Sequence, residues 1–417
     1  MMFDRTLLNP MLSGKDLYDA LLFLPEYDES IRSNDESTRL VALSELYNIY
    51  LPSSMSEEIY SKLYLSLLRS LNKKGTKNSI RQLNENFKCI NQLPYKGVVG
   101  GSDSFTIIGS SGIGKSSAVS RAVSLITDKP FVEVEGTKIC PFVVVQCPFD
   151  SSVKGLSLEI LRKIDSVLET KYYTNSIRSH ATTDVLIGMI SQAALSHIGL
   201  LIIDEIQNVA ASKNGKTFIN SLTQLINNSG ISICMVGTPE CTVFFRKELQ
   251  LARRSMGLYY SPLQFDVYFA DFCRTAFSYQ YTREKAEFNA GILEWLYEHS
   301  GGLVSLVISL IHDAQEIAIL NGTESLDLNT LSEAYNKRTA MLHSFINDGI
   351  KKLPQTSKST KKKGRAVLEN SVVLNQCQSL SISEIVEQAK KSCYDVVDVL
   401  RQYIIIEEID KEGCKKC

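Results

Sequence analysis

The chain has 417 residues, of which 44% are hydrophobic and 22% are charged, and its formal net charge at pH 7 is −1. This length and composition allow a large buried core and predict roughly two to three domains. The balanced charge excludes a uniformly basic nucleic-acid coat, so any contact with nucleic acid would come from a local patch. The first residues form no signal-peptide pattern and no apolar window approaches a membrane span, which predicts a soluble, cytoplasmic protein.

Residues 1–95 form the first predicted region, and their pattern is helical. Apolar residues recur at helical spacing in residues 16–23 and 59–71, with a polar run between them. The pattern fits a helical cap on the following domain, and it also fits a module that docks a partner protein. We assign the region to partner docking and keep the cap as the alternative.

A glycine-rich turn follows a short apolar run, residues 105–108, and precedes an amphipathic helical pattern. This order predicts a P-loop, in which glycines let successive backbone N–H groups point at phosphate oxygens, helped by the helix dipole. Lys115 would reach the β- and γ-phosphates, and the Ser116 hydroxyl would ligate Mg²⁺. The predicted nucleotide-binding residues are Gly109, Ser110, Ser111, Gly112, Ile113, Gly114, Lys115, Ser116 and Ser117. An ordinary glycine-rich turn is the less favoured alternative.

The second chemical motif follows the aliphatic residues 199–203, which predict a strand that is buried on both faces. Asp204 comes where this strand emerges, at the carboxyl edge of the sheet that also carries the P-loop. Asp204 is suited to holding Mg²⁺ through its water shell, and Glu205 is suited to polarising the attacking water. An acidic strand exit without function is common alone, but the two motifs in this order favour a Walker B sequence.

Two further positions are candidates for contact with the γ-phosphate. Residues 231–237 predict another buried strand that ends at Thr238, where a phosphate sensor would lie between the two Walker segments. Arg253 and Arg254 form a pair that suits an arginine finger, in which a guanidinium neutralises transition-state charge in a neighbouring subunit. A plain solvated helix end fits the same pair, and the sequence leaves both interpretations open.

The alternation of strands and helices predicts an α/β fold, a three-layer core with a parallel sheet over residues 96–263. Within this core, residues 142–147 predict a buried strand and residues 153–168 predict a helix. A small helical lid is predicted over residues 264–348, with helices at 267–277, 283–299, 303–320 and 328–346. Residues 349–368 are basic and rich in Ser, Thr, Pro and Gly, which predicts a linker that is either a solvated spacer or an electrostatic tether. Residues 369–417 are predicted to form a helical interaction segment, with one or two helices over residues 380–408.

The order of these motifs is that of the AAA+ ATPases, and within them the chain resembles the TnsC-type transposition regulators, relatives of the TniB and MuB ATPases. The sequences that carry the resemblance are CPFDSSVKGL at 147–156, IDEIQN at 203–208, VGTP at 236–239, ARR at 252–254, GGLVSLV at 301–307 and AQEIAI at 314–319. One departure is that many AAA+ proteins place an arginine in the lid helix after the Gly-Gly turn, whereas residues 303–305 offer none.

The resemblance implies an ATP-dependent regulator with ATP and Mg²⁺ as cofactors that assembles on duplex DNA as a ring or helical filament in a prokaryotic cytoplasm. Its partners would be transposase subunits and a target selector, either a protein or an RNA-guided complex. Carried over by position, Lys115 and Ser116 bind nucleotide and Mg²⁺, Asp204 and Glu205 serve the metal and the water, and Thr238 senses phosphate. Contacts would be to the DNA backbone, with Lys154 as the first candidate and a solvated lysine as the alternative.

Three other classes remain open at this point. The first is another AAA+ switch, of the origin-initiator or clamp-loader kind, whose lid would normally carry the missing arginine. The second is a P-loop signalling or defence ATPase that uses nucleotide as a conformational latch and does not bind DNA. A small-molecule kinase is the least favoured, because no acceptor site is apparent and the chain carries long extensions at both ends.

Overall fold

The structure is a computed structural model, and it describes residues 7–74, 104–134, 136–242, 257–339, 408–409 and 415–416. The chain divides into two compact units, Met1–Leu353 and Pro354–Cys417. The basic linker, most of the C-terminal segment, Arg253 and Arg254 lie outside the described residues. In the second unit, Glu408–Ile409 and Lys415–Lys416 pair as short antiparallel strands, so Glu408 does not end a helix as its sequence pattern had suggested.

The N-terminal segment, residues 7–74, is helical, as expected. Its helices are α1 (Gly14–Leu21), α2 (Glu36–Ala42) and α3 (Ser54–Lys74), with 3₁₀ turns at Glu29–Ser33 and Leu43–Asn48. The Asp35 carboxylate accepts from the backbone N–H of Thr38 and so begins α2. The long helix α3 buries Ile59, Leu63 and Leu67, which gives it an apolar face to set against the next domain.

The core is a six-stranded sheet in the order β2-β3-β4-β5-β1-β6. All neighbouring strands are parallel except the antiparallel pair β2 and β3. The strands are β1 (Phe105–Gly109), β2 (Val132–Val134), β3 (Thr137–Gln146), β4 (Ile198–Asp204), β5 (Ser232–Gly237) and β6 (Leu258–Tyr260). Every residue of β1 and β5 is buried, as is typical of parallel strands that are covered by helices on both faces.

Helices cover both faces of the sheet, which confirms the three-layer α/β core. The core helices are α4 (Lys115–Ile126), α5 (Val153–Leu168), α6 (Tyr172–Arg178), α7 (Thr183–His197), α8 (Asn208–Ala211) and α9 (Gly215–Ser229). One apolar cluster joins α5, α7 and α9 to residues such as Val143, Leu201 and Ile233. A second cluster on the other face joins α4 and the N-terminal helix α3 to residues such as Ile107 and Leu200.

The N-terminal segment is therefore part of the folded core, which agrees with the alternative of a helical cap. Arg121, on α4, makes a further contact with the N-terminal segment. Its guanidinium carbon lies 4.5 Å from the ring centre of Phe23 and 5.0 Å from that of Tyr50. These distances are within the range of cation–π contact. Phe23 and Tyr50 exchange backbone hydrogen bonds of 3.0 and 2.8 Å with each other, which holds both rings beside Arg121.

The lid consists of α10 (Val267–Ser278), α11 (Ala290–Ser300), α12 (Val304–Asn321) and α13 (Leu328–Ala334), followed by a π-helical turn at Tyr335–Thr339. Three of these helices begin at capping side chains: Asp266 accepts from Phe269 N–H, Asn289 from Ile292 N–H and Asp327 from Thr330 N–H. The lid shares one apolar cluster with Leu43, Leu46 and Ile49 of the N-terminal segment. The N-terminal segment thus packs on both the core and the lid.

The predicted helix over 283–299 is wrong in its first part, since α11 begins only at Ala290. Residues 283–286 satisfy their backbone N–H groups elsewhere: Arg283 donates to a Glu324 carboxylate oxygen, and Ala286 donates to Gln280 Oε1. The predicted helix over 328–346 ends at Ala334, and the residues after 339 are not described. The predicted strand at 142–147 begins earlier, at Thr137, where the chain pairs with the unpredicted β2.

Among the described helices, α12 is long and apolar enough, by length and composition alone, to cross a membrane. This finding corrects the expectation that no segment would reach that length. Half of the helix is buried, and its Gln315 donates to the Tyr279 carbonyl at 3.0 Å and accepts from Tyr281 N–H at 2.7 Å. These contacts are typical of a buried helix in a folded lid. Such a helix also meets the length and composition criteria of a membrane span.

A buried ion pair joins the N-terminal segment to the lid. Arg39, on α2, is 1% exposed and donates to both carboxylate oxygens of Glu324, at 2.6 and 2.7 Å. The hydrogen bonds from Arg39 hold the pKa of the Glu324 carboxyl below its usual range. The stability contributed by the pair is therefore present above the unfolded-state pKa of a glutamate, and it is lost as the pH falls through the folded-state value.

Arg39→Ala is expected to lower the free energy of unfolding by about 3 kcal/mol, because it leaves the largely buried Glu324 carboxylate without its main partner. Arg283→Ala is the matched control, since Arg283 is 63% exposed and its Nε lies 3.7 Å from the same carboxylate. We expect this second substitution to cost about 0.5 kcal/mol or less. Urea denaturation at pH 7 measures both values, and equal losses would contradict the importance given to the buried pair.

Candidate nucleotide-binding site

The sheet order brings the predicted site residues to one edge. Strand β5 lies between β1 and β4, and the carboxyl ends of these three parallel strands meet there. The P-loop follows β1, Asp204 ends β4 with Glu205 directly after it, and Thr238 follows β5. Thr238 therefore lies between the two Walker segments, in the position where a phosphate sensor was predicted.

The P-loop has the backbone that close approach to phosphate requires. Gly112 and Gly114 have φ angles of 82° and 95°, in the left-handed region that glycine adopts at little cost. The Lys115 Nζ donates to the carbonyls of Gly109 and Ser110, at 2.8 Å each, so the ammonium lies inside the loop. Burial lowers the pKa of Lys115, and the nearby carboxylates of Asp204 and Glu205 oppose that shift.

The two Walker segments meet through their side chains. The Ser116 hydroxyl donates to Asp204 Oδ2 at 2.7 Å, and the Glu205 N–H donates to Asp204 Oδ1 at 2.8 Å. A hydroxyl and a carboxylate oxygen at this separation are hard oxygen ligands of the kind that Mg²⁺ prefers. The residues present therefore fit the metal that the sequence implied, with Ser116 and Asp204 as its ligands or as partners of its water shell.

Glu205 has an unusual backbone conformation, and its carboxylate is bonded to Gln207, to which the sequence assigned no role. Its φ angle is 58°, which non-glycine residues adopt only at some cost in energy. The Gln207 amide nitrogen donates to Glu205 Oε2, and Gln207 Oε1 accepts from the Thr238 N–H at 3.3 Å. Gln207 thus connects the Walker B glutamate to the sensor position, although in sequence it is only a polar residue beyond the strand.

The lid touches the P-loop through Ser305. The Ser305 N–H, in the first turn of α12, donates to the Gly112 carbonyl at 3.0 Å. A Cβ on Gly112 would lie 2.2 Å from the Ser305 hydroxyl oxygen, so only glycine fits beneath the lid. Serine therefore lies close to the phosphate loop on the lid side, where many AAA+ proteins carry an arginine. Within the described part of the chain, Lys115 is the single cation that lines the cavity.

A cavity of about 480 Å³ extends from the P-loop between the lid and the N-terminal segment. Its end beyond the phosphate loop is aromatic and apolar, with Tyr50, Met55, Tyr260, Tyr268, Phe272 and Ile308 among its lining residues. A space lined by aromatic and apolar side chains next to a phosphate cradle suits the base of a nucleotide. This pocket could not be predicted from the sequence, because its residues come from three segments that lie far apart in the chain.

A group of possible metal ligands in the lid is already neutralised. His312, Asp313 and Glu316 lie close enough together to hold an ion. The Arg338 guanidinium, however, bonds to both carboxylates, at 2.9 Å in the case of Asp313. The position that a cation would take is therefore filled by an arginine side chain.

Lys154, the predicted DNA contact, is exposed in the first turn of α5. The loop before this helix is bonded to the loop after β4. Ser151 Oγ donates to the Asn208 carbonyl at 3.2 Å, and Ser212 Oγ donates to the Asp150 carbonyl at 2.9 Å. Lys154 thus directly follows a loop that is joined to the segment after β4.

The fold and the site together define a P-loop ATPase of the AAA+ class. Residues 75–261 match the family model described as the bacterial TniB protein. The match spans both Walker segments, Thr238 and the paired arginines, and it confirms the resemblance to the transposition-associated AAA+ ATPases over this part of the chain. A search of the curated proteins gives no match.

Several solved structures are similar to the chain at low identity, among them the following three. The ORC2 protein of Aeropyrum pernix in its ADP form is 16% identical with a TM-score of 0.40, over 76% of this chain and 73% of that chain. The ORC1 protein of the same organism in complex with DNA is 13% identical with a TM-score of 0.38, over 77% and 80% of the two chains. Cdc6p from Pyrobaculum aerophilum is 15% identical with a TM-score of 0.38, over 72% and 74%.

Proposed function

We propose that this ATPase is a DNA transposition regulator that oligomerises on duplex DNA and couples target-site selection to a transposase. ATP hydrolysis would control its disassembly. The observation that carries the proposal is the TniB match over residues 75–261, which contains a complete set of Walker residues. We further propose that it acts in a prokaryotic cytoplasm, with the nucleoid, and that a target-selector protein or an RNA-guided complex brings it to its site.

ATP and Mg²⁺ are the proposed cofactors. Lys115 and the P-loop amides would hold the phosphates, and the aromatic end of the cavity would hold adenine. Mg²⁺ would be held by Ser116 and Asp204 and would neutralise charge on the phosphates. Glu205 would orient and polarise the attacking water, and Thr238 would contact the γ-phosphate.

Arg253 and Arg254 remain the proposed arginine finger, acting on the nucleotide of a neighbouring subunit. The proposal is supported by the site itself, because among the described residues the lid contributes no guanidinium to the cavity. A cation supplied in trans would complete the charge neutralisation that phosphoryl transfer requires. Hydrolysis would then depend on assembly, which suits a protein that dissociates from DNA after its ATP is hydrolysed.

The surface formed by the loop 147–152 and the segment 205–216 is the proposed contact with the DNA backbone. Lys213 and Lys216 are exposed on this segment, and the exposed Lys154 follows the loop in the first turn of α5; none of the three has an ion pair among the residues that the structure describes. Phe149, at the tip of the loop, is 85% exposed. Lysines on flexible stems suit contact with phosphates irrespective of base sequence.

The experiment that tests the function is negative-stain imaging of the full chain with linear duplex DNA, with and without a non-hydrolysable ATP analogue. Filaments or rings that require both DNA and nucleotide are the expected result. Dispersed particles under every condition would instead favour the latch ATPase, which binds nucleotide without binding DNA. A transposase gene beside the gene of this protein would add independent support.

Replacing Lys154, Lys213 and Lys216 together by alanine is expected to weaken DNA binding uniformly across base sequences. The slope of log K against log salt should become shallower by up to about 3, since each lost phosphate contact removes roughly 0.9. The matched control replaces Lys15, Lys129 and Lys171, three exposed lysines outside the two loops. Fluorescence anisotropy with duplexes of two unrelated sequences measures both variants. An identical salt slope in the two triple variants would remove this surface from the proposal.

A further inference from the structure

The N-terminal segment crosses between the core and the lid twice. Helices α1 and α3 belong to the apolar cluster that covers one face of the sheet. Leu43, Leu46 and Ile49, which come between these helices in sequence, belong instead to the apolar cluster of the lid. Two short connections therefore join the parts that pack on the core to the part that packs on the lid: residues 22–24 after α1 and residues 50–53 before α3.

The part between the two connections, residues 25–49, is bonded to the lid. The Tyr27 hydroxyl donates to the Gln280 carbonyl at 2.6 Å, and Arg39 forms its buried ion pair with Glu324. A buried ion pair is costly to break. Residues 25–49 would therefore follow the lid in any movement relative to the sheet, and the two connections would have to bend.

The second connection forms part of the wall of the nucleotide cavity. Tyr50, Leu51 and Ser53 line the cavity together with side chains of the lid. One of those lid residues, Tyr268, donates its hydroxyl to the Leu51 carbonyl at 2.9 Å. A displacement of the lid from the sheet would therefore pull on this connection and open the aromatic end of the cavity.

Arg121 holds both connections to α4, the helix that follows the P-loop. Its guanidinium carbon lies 4.5 Å from the ring centre of Phe23, in the first connection, and 5.0 Å from that of Tyr50, in the second. Backbone hydrogen bonds join Phe23 and Tyr50 to each other. In the part of the chain that the structure describes, the cavity lining includes Tyr50 but neither Arg121 nor Phe23. Arg121 can therefore act on a nucleotide only through the wall of the cavity.

We propose that Arg121 is a positioning residue that keeps the base pocket closed and so sets the rate at which nucleotide enters and leaves. The inference rests on the proposed function, which places the base at the aromatic end of the cavity. Because Arg121 contacts protein groups alone, it stabilises closure equally with and without nucleotide. Its removal should therefore accelerate binding and release together and leave the affinity nearly unchanged.

The test is Arg121→Ala in the full chain, measured by stopped-flow fluorescence with an ATP analogue labelled on the ribose. Phe23 is 44% exposed, so the contact is partly solvated and its loss should raise both rate constants about fivefold. The dissociation constant should change by less than about twofold, since the two effects cancel in their ratio. Arg274→Ala, at an exposed position on α10 where the side chain pairs with Asp271, is the control and should leave all three constants unchanged.

Phe23→Ala reaches the same contact from the N-terminal segment and leaves α4 intact. It should raise both rate constants by about two- to threefold. The double variant should exchange nucleotide no faster than Arg121→Ala alone, because both substitutions act through one contact. Circular dichroism checks that all variants fold.

Three results would contradict the inference. Wild-type rate constants in both single variants, with nucleotide binding intact, would overturn it alone. Faster release without faster binding, and so a weaker affinity, would show that Arg121 merely stabilises the shape of the pocket. A wild-type chain that binds no ATP analogue would overturn the proposed nucleotide site as well.

Discussion

Lys115→Ala is expected to weaken nucleotide binding by roughly 100-fold or more. The Lys115 ammonium lies inside the P-loop and is the single cation that lines the cavity within the described part of the chain. Loss of a largely buried charge contact costs about 2 to 5 kcal/mol, and no neighbouring cation in that part of the site replaces it. Assembly on DNA should be lost together with binding.

Titration with a fluorescent ATP analogue measures the affinity of this variant. Lys129→Ala, at an exposed position beyond the end of α4, is the control and should bind as the wild type does. Circular dichroism checks that both variants fold. An affinity for nucleotide that is unchanged in Lys115→Ala would contradict the assignment of this loop as the phosphate site.

Glu205→Gln should retain nucleotide binding and abolish turnover. The substitution keeps the size of the side chain and removes the negative charge that we propose polarises the attacking water. A positioned general base contributes roughly 10² to 10⁴ in rate, so we expect a fall in kcat of about 10³-fold. Because hydrolysis is the proposed trigger of disassembly, the assembled form should persist with ATP.

The hydrolysis rate is measured by phosphate release, and the persistence of assemblies by imaging at successive times after ATP addition. Glu298→Gln, at an exposed position in the lid, serves as the charge-matched control. Glu205→Gln assemblies that disperse as fast as those of the wild type would separate disassembly from hydrolysis. Unchanged turnover would show that Glu205 does not serve the water.

The sequence predicted well those parts of the fold that local patterns determine. Helix α5 has the predicted limits, because Ser152 begins it with a capping hydrogen bond to Gly155 N–H at 3.1 Å and the apolar spacing continues to Leu168. The buried strands β1, β4 and β5 were equally visible, since parallel central strands are continuous aliphatic runs. These strands alone also predicted the edge of the sheet at which the Walker residues meet, because those residues follow the carboxyl ends of the strands.

The remaining parts depend on contacts between distant residues. The irregular stretch before α11 results from partners on other elements, Gln280 and Glu324, and its apolar spacing still resembled a helix. The base pocket combines Tyr50, Tyr268 and Ile308, which no spacing rule relates to each other. The contacts of Gln207 depend on strand β5, which places Thr238 beside it. These features could not be predicted from the sequence because a single chain does not reveal which distant side chains meet.

The N-terminal segment determines where this ATPase can be truncated. The family match begins at residue 75, just beyond α3, yet residues before it cover one face of the sheet and pack in the lid cluster. A fragment that started at the match would leave Ile107, Leu200 and Ile202 uncovered by Leu63 and Leu67, and it would also lack the residues that enclose one side of the cavity. The stretch of sequence that matches the family model is therefore shorter than the unit that folds. A truncated version of this protein has to keep the first helices.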